Sequence, residues 1–180
     1  MADLLVSEQK KMIDKNLLRS CMGLFATGVT VVTYVADGKP AGMTANAFMS
    51  VSLEPPLILI SVRATSRFNQ WVRQGVRFGI NFLAESQKPL SMHFGGSPDD
   101  RLQVPLISER ETPLLDGSLA QMILRTVDVH PAGDHYLFIG EVEHLRFGEH
   151  ERPLVFYGGK YRQIVTHLPL FAANGDPEGW

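Results

Sequence analysis

Residues 42–62 read G-M-T-A-N-A-F-M-S-V-S-L-E-P-P-L-I-L-I-S-V. At a period of two, the spacing that lines up side chains on one face of a strand, Met43, Ala45, Ala47, Met49, Val51 and Leu53 share a face and are all apolar. The opposite face carries Thr44, Asn46, Phe48, Ser50 and Ser52, hydroxyls and an amide around one aromatic ring. The pattern predicts a single strand over residues 42–53. Pro55 and Pro56 end it, because neither can donate a ladder hydrogen bond. The unbroken apolar run 57–60 predicts a strand buried on both faces. A wet sheet face usually shows Lys, Glu and Thr, whereas 42–53 holds no charge at all. Short neutral donors and acceptors suit a flat ligand with a polar edge. A strand whose small-residue face packs on a neighbouring helix has the same pattern, and the ladder by itself is equally consistent with either.

Size and composition narrow the classes. A chain of 180 residues is long enough to bury one sizeable core without staples. It is read as a single domain over 1–180, with its core in about 17–165 and a loose tail in 166–180. The lone cysteine, Cys21, excludes a disulfide within the chain and fits a reducing, cytoplasmic setting; it is expected to pack in a helix. The first residues carry acid early and lack the apolar core of a signal peptide. No apolar run approaches the roughly 18 residues of a membrane span. A net charge of −2 with scattered basic residues argues against nucleic acid or a membrane surface as partner.

Outward from the ladder, residues 7–25 are predicted as a helix capped by Ser7, with Ile13, Leu17, Cys21 and Leu24 as its buried face. Residues 29–35 are a β-branched strand, turned back at Asp37-Gly38 into the ladder. After Val62 comes Arg63-Ala64-Thr65-Ser66-Arg67. Two cations and two hydroxyls at a predicted helix start, running to about Gly75, suit a phosphate; a solvated turn with an ordinary cap suits the same residues. Residues 76–82 alternate as a half-buried strand. Residues 85–94 read as a short helix with Pro89 in its first turn, 95–113 as the least regular part, and 119–129 and 135–147 as strands flanking a turn. Residues 154–164 read as a last strand broken at Gly158-Gly159. Antiparallel strands with a few short helices point to a closed or partly closed barrel.

Familiar catalytic motifs are absent from the sequence. Gly23 and Gly28 have P-loop spacing, but Val29 and Thr30 stand where Lys and Ser/Thr are required. There is no G-x-G-x-x-G and no G-x-S-x-G. The six histidines show no metal-ligand spacing, so no metal is expected.

Five segments taken together resemble the short-chain flavin reductases: F-A-T-G-V-T (25–30), G-M-T-A-N-A-F-M-S-V-S-L-E-P-P (42–56), E-S-Q-K (85–88), G-D-H (133–135) and Y-G-G-K-Y (157–161). These are the reductase components of two-component flavin monooxygenases, such as those acting on 4-hydroxyphenylacetate or styrene. The resemblance implies a mainly β fold, an antiparallel, Greek-key-like FMN-binding split β-barrel with a few short α-helices. It implies hydride transfer from NADH or NADPH to FMN or FAD, a homodimer, and a partner flavin-dependent oxygenase. A non-catalytic flavin-binding barrel is the alternative. By the same resemblance Thr44, Ala45, Asn46 and Ala47 lie along the pyrimidine edge of the flavin ring. Ser50, Val51 and Ser52 reach toward the ribityl chain and phosphate, joined by Arg63, Ser66 and Arg67. Phe82 and Ser86 border the flavin, Tyr161 stands near the ring, and His135 serves the nicotinamide as the catalytic-site histidine. Two departures stand out. Many relatives carry Lys or Asn early in the phosphate loop and a Ser-x-Thr, and the residue after G-D-H, here Tyr136, is often Thr.

Overall fold

The computed structural model describes residues 13–149 and 151–164. In chain order it holds helix α1 (Lys15–Met22) and strands β1 (Thr27–Gly28), β2 (Thr30–Ala36), β3 (Lys39–Ala45), β4 (Phe48–Leu53) and β5 (Pro56–Arg63). A one-turn helix α2 (Phe68–Trp71) leads to β6 (Arg77–Phe82), then a 3-10 turn (Glu85–Gln87) to helix α3 (Lys88–Phe94). The chain continues through β7 (Leu106–Glu109), β8 (Thr112–Leu115), β9 (Ala120–Ala132), β10 (His135–Phe147), β11 (Val155–Tyr157) and β12 (Lys160–Arg162).

Seven strands form one antiparallel sheet in the order β3-β2-β6-β9-β10-β5-β4. Every one of them feeds the same core: Met43, Val32, Ile80, Leu124, Phe138, Ile60 and Phe48, taken strand by strand across the sheet. A sheet can do this only by curling on itself into a barrel. The barrel is split between β3 and β4, its two unpaired edges. Phe68 of α2 is fully buried within it and meets Tyr34, Phe78 and Phe138 edge-on at centroid distances of 5.1, 5.8 and 5.0 Å. Burying a phenylalanine contributes about 1.5–3 kcal/mol, and edge-to-face contacts add to that. A second cluster, Val31, Leu83, Leu90, Leu115 and Leu154, packs on the outside of β2, which is therefore buried on both faces.

The expected single strand over 42–53 is two strands. The break at Asn46-Ala47 carries the chain from one edge of the barrel to the other, and the buried parity flips across it. In β3, Met43 and Ala45 pack on the core; in β4 it is Phe48 that does so. Met49, Val51 and Leu53 are exposed instead. Alternation continues unbroken in the sequence because the two linking residues preserve odd-even phase while the backbone changes face.

Other expectations shift in smaller ways. Asp14 caps α1, accepting from the N–H groups of Asn16 (2.9 Å) and Leu17 (2.8 Å); the proposed Ser7 cap lies outside the described residues. No residue of α1 is buried, so its apolar face, Cys21 included, does not pack on this chain's core. Strand β6 is buried on both faces, not half-buried. A Cβ on Gly79 would lie 2.4 Å from Thr33 Oγ1 and 2.7 Å from Leu114, so the β7–β8 hairpin closes down where only glycine fits. In the run 57–60, Ile58 and Ile60 are buried while Leu57 and Leu59 are half-buried. Helix α2 is one turn ending before Val72, well short of Gly75, so it offers no extended helix N-terminus to an anion. The irregular 95–113 segment contains β7 and the start of β8. The Asp37-Gly38 turn is as expected: both residues have positive φ, 54° and 72°, the geometry of a tight primed turn. The 166–180 tail lies outside the described residues.

Candidate functional site

The split in the barrel opens into a cleft of about 550 Å³. Its floor is the break itself, Met43, Thr44, Ala45, Asn46 and Ala47; one wall is the end of β5 with the loop after it, Ser61, Val62, Arg63, Thr65 and Ser66; the opposite wall is Phe94, Gly95 and Gly96, and His135 stands at the mouth. Asn46 also borders three neighbouring depressions around the seam. Its amide makes no hydrogen bond among the described residues, which leaves two donors and an acceptor for a ligand.

Local chemistry positions each wall. Gly42 lets α3 approach: a Cβ there would sit 2.9 Å from the Phe94 ring. Thr44 Oγ1 donates to the Ser91 carbonyl at 2.7 Å, and the Ser91 hydroxyl meets the Tyr161 hydroxyl at 2.8 Å. These two bonds tie β3, α3 and β12 into one frame. Lys88 Nζ lies 5.5 Å from the centroid of the Tyr161 ring, holding that ring further. Across the cleft, Ser66 N–H donates to the Arg63 carbonyl (2.9 Å) and Ala64 N–H to the Asp134 carbonyl (2.9 Å). The Ser66 hydroxyl accepts from Phe68 N–H at 3.3 Å. Neither Arg63 nor Arg67 has an ion-pair partner among the described residues, so their charge is open to an anion.

His135 pairs with Arg63 across β10 and β5, which sets its ring beside the 63–66 loop. Its Nδ1 is 2.7 Å from Asp134 Oδ1. That hydrogen bond holds the Asp134 carboxyl below its ordinary range, and it fixes the ring so that Nε2 is the free nitrogen.

Of the residues singled out by sequence, Thr44, Ala45, Asn46, Ala47, Arg63, Ser66 and His135 line the cleft. Tyr161 lines the depression continuous with it, together with Ser91 and Phe156. Phe82 borders a separate apolar hollow of about 370 Å³ that shares Asn46. Ser50, Val51 and Ser52 do not line the cleft; β4 carries them away from it toward Leu57. Arg67 is also outside its lining and stands near Tyr34, whose hydroxyl is pushed up by burial while the Arg67 cation acts in the opposite direction. Ser86 donates to Glu151 at 2.8 Å on the exposed 3-10 turn. Thr65, one of the two hydroxyls of the loop singled out after Val62, also lines the cleft, whereas sequence reasoning missed Ser61, Phe94, Gly95 and Gly96 as walls. The Gly95-Gly96 pair was the available signal, and it reads only as a loop.

The arrangement is a neutral hydrogen-bonding rim leading to a hydroxyl-rich, cationic loop. It fits a flat heteroaromatic ring with an anionic tail.

Residues 22–165 match the flavin reductase like domain. The chain belongs to this family. It is 42% identical over 150 residues to an NADH-dependent flavin reductase of a Rhodococcus species, covering 82% of this chain and 85% of that protein. It is 39% identical over 158 residues to the reductase subunit HsaB of a flavin-dependent monooxygenase from Mycobacterium tuberculosis, covering 84% and 83%. Among solved structures it resembles the Streptomyces globisporus C-1027 NADH:FAD oxidoreductase SgcE6 in complex with NAD and FAD fragments. The TM-score is 0.78 at 32% identity, covering 88% of this chain and 99% of that one. The cleft residues of this flavin reductase-like chain fit a flavin: the rim supplies neutral donors and acceptors, and Arg63 supplies unpaired positive charge at one end.

Proposed function

We propose that this chain is an NADH-dependent flavin reductase that passes a hydride from the nicotinamide to FMN or FAD and delivers the reduced flavin to a partner oxygenase. The observation that carries the reading is the cleft at the barrel seam, where the unpartnered Asn46 amide joins a neutral rim to the 63–66 loop. The relatives' activities point the same way, and favour this reading over a flavin-binding barrel without catalysis.

A flavin held in the cleft would supply the hydride acceptor and a nicotinamide nucleotide the hydride donor, so that two electrons and a proton would pass from one to the other as hydride. The protein's contribution is position and electrostatics. Asn46 and the backbone of residues 44–47 orient the ring edge. Donors aimed at the pyrimidine end stabilise the negative charge that gathers there during reduction. Arg63, Thr65 and Ser66 hold the phosphate. His135, fixed by Asp134, would hold the nicotinamide nucleotide through its free Nε2. No residue has to transfer a proton for the hydride step, which suits a cleft without a buried acid or base.

The reading includes a homodimer. Met49, Leu59 and Ile139 form one row across β4, β5 and β10 on the face turned from the core. At and beyond the register shift between Ser50 and Ser52, Val51 and Leu53 are exposed as well, and a second copy would cover this apolar edge. NADH as reductant sets the work in the cytoplasm. The test is anaerobic mixing of the purified chain, FMN or FAD, and NADH or NADPH. Bleaching of the flavin well above buffer is expected with NADH. No bleaching in any of the four pairings would refute the reading.

A further inference from the structure

The loop after β5 is held from behind by one side chain. Asn69 Nδ2 donates to the Arg63 carbonyl at 2.8 Å and to the Ala64 carbonyl at 3.0 Å. The amide orientation is forced, since two carbonyl oxygens can be satisfied only by the nitrogen end. Its Oδ1 is buried without a partner, so the side chain is kept there by these two bonds and not by a wider network. The captured carbonyls are those of the residues that open the loop. Meanwhile the backbone N–H groups of Thr65 and Arg67 have no acceptor among the described residues. An anion in the cleft is repelled by carbonyl oxygens and held by N–H groups, hydroxyls and guanidinium. Asn69 thus ties up two oxygens of a loop whose Thr65 and Arg67 N–H groups stay free, while those of Ala64 and Ser66 are spent on the Asp134 and Arg63 carbonyls.

We propose that Asn69 is a positioning residue that gives the site its preference for phosphorylated flavins over riboflavin, by holding the Arg63 and Ala64 carbonyls away from the phosphate. The proposal rests on the reading of the 63–66 loop as the phosphate seat. Asn69 lines no part of the cleft, so it acts only through the loop. The anchoring is complete on this side: Ala64 N–H holds the loop to the β9–β10 turn through the Asp134 carbonyl, while Asn69 holds it to α2.

The sharp variant is Asn69→Asp, which is isosteric but puts carboxylate oxygen against two carbonyl oxygens. The full chain is titrated with FMN and with riboflavin, and thermal unfolding is recorded alongside. Expected is at least a tenfold loss of FMN affinity, with riboflavin affinity within about twofold of the parent. Asn69→Ala, which frees the carbonyls without repelling them, should lose FMN affinity by less and remain folded, with a small fall in unfolding temperature from the two lost hydrogen bonds. It decides the matter if the Asp variant does not fold. The double variant Arg63→Ala/Ser66→Ala separates the proposal from the reading beneath it. If that variant leaves the FMN-to-riboflavin ratio unchanged, the phosphate sits elsewhere and both fall. If the ratio collapses there but survives in Asn69→Asp and Asn69→Ala, only the role of Asn69 is overturned. An equal loss for FMN and riboflavin in the Asn69 variants also overturns it.

Discussion

Strands β3 and β4 come from one uninterrupted alternation and end as opposite edges of the same barrel. In β3 the apolar residues face the core; in β4 the apolar residues of the same parity are exposed, Met49 at 53% and, beyond a register shift between Ser50 and Ser52, Leu53 at 68%. Alternation specifies which side chains go together, but not against what. The two residues between the strands decide that, and they form the floor of the cleft. A barrel closed by hydrogen bonds all the way round would have no such gap. The site exists because the chain crosses its own seam there.

Matched substitutions test this contrast most severely. Met43 and Met49 are the same residue at the same parity. Met43→Asp takes a half-buried side chain off the core and sets a carboxylate at its edge beside the cleft; it should cost about 1–3 kcal/mol of stability, from lost packing and partial desolvation of the charge. Met49→Asp should leave the barrel folded by circular dichroism but sedimenting as a monomer. Denaturant titration and sedimentation measure both. If Met49→Asp unfolds the chain while Met43→Asp does not, the assignment of faces is wrong.

The cleft end of the seam should respond differently again. His135→Ala is expected to lower kcat/KM for the nicotinamide by roughly 1–3 kcal/mol of transition-state stabilisation, with flavin affinity and unfolding temperature unchanged. Stopped-flow reduction at saturating flavin reads the first and a flavin titration the second. A variant that reduces flavin at the parent rate would remove His135 from the mechanism. Asn46→Ala should show a smaller effect. It breaks no internal hydrogen bond, so stability should hold within about 0.5 kcal/mol. Flavin affinity should fall by about 1 kcal/mol, one neutral hydrogen bond's worth. A stability loss larger than the affinity loss would make Asn46 a structural residue of the seam.

Much of this organisation was legible because it is local. The Asp37-Gly38 turn is specified by two residues able to take positive φ, and β10 runs over His135–Phe147 as its flanking turn and alternation indicate. The edge exchange was not legible, since two linking residues leave the odd-even phase intact. Nor was the burial of both faces of β6. Gly79 and Asn81 read as solvent-facing, yet Asn81 makes three hydrogen bonds, with the Val31 carbonyl, Thr33 Oγ1 and Leu115 N–H. That environment is supplied by β2 and the β7–β8 hairpin, far away in sequence. The Ser91–Tyr161 contact spans 70 residues, and no spacing announces it. In the candidate site, the rim and loop were visible as residue types. The walls from α3 and the carriage of Ser50 and Ser52 away from the cleft depend on packing alone.

The smallest effect concerns the other part of the outer face. Where β4 exposes apolar side chains, β6, β9 and β10 expose an ion-pair ladder. Glu143 accepts from Arg77 Nε at 2.6 Å and Arg125 Nε at 3.1 Å, and Arg125 also pairs with Glu141. The Arg77 hydrogen bond is the main reason the Glu143 carboxyl is held below its usual range, with Arg125 adding to it. A carboxyl whose folded value is depressed contributes stability above its unfolded value, near the ordinary glutamate pKa of about 4.3, and loses that contribution as pH falls through the folded value. The parent should therefore exceed Glu143→Gln in stability at pH 7 by on the order of 0.5 kcal/mol, as for other exposed pairs. The gap should close below about pH 4 and shrink in high salt. Paired denaturant titrations at pH 7 and pH 3, with and without 1 M salt, read it directly. A gap that persists at pH 3 would mean that Glu143 acts through packing and not through its charge. The ladder would then resemble the apolar face beside it more than the solvated surface it is taken to be.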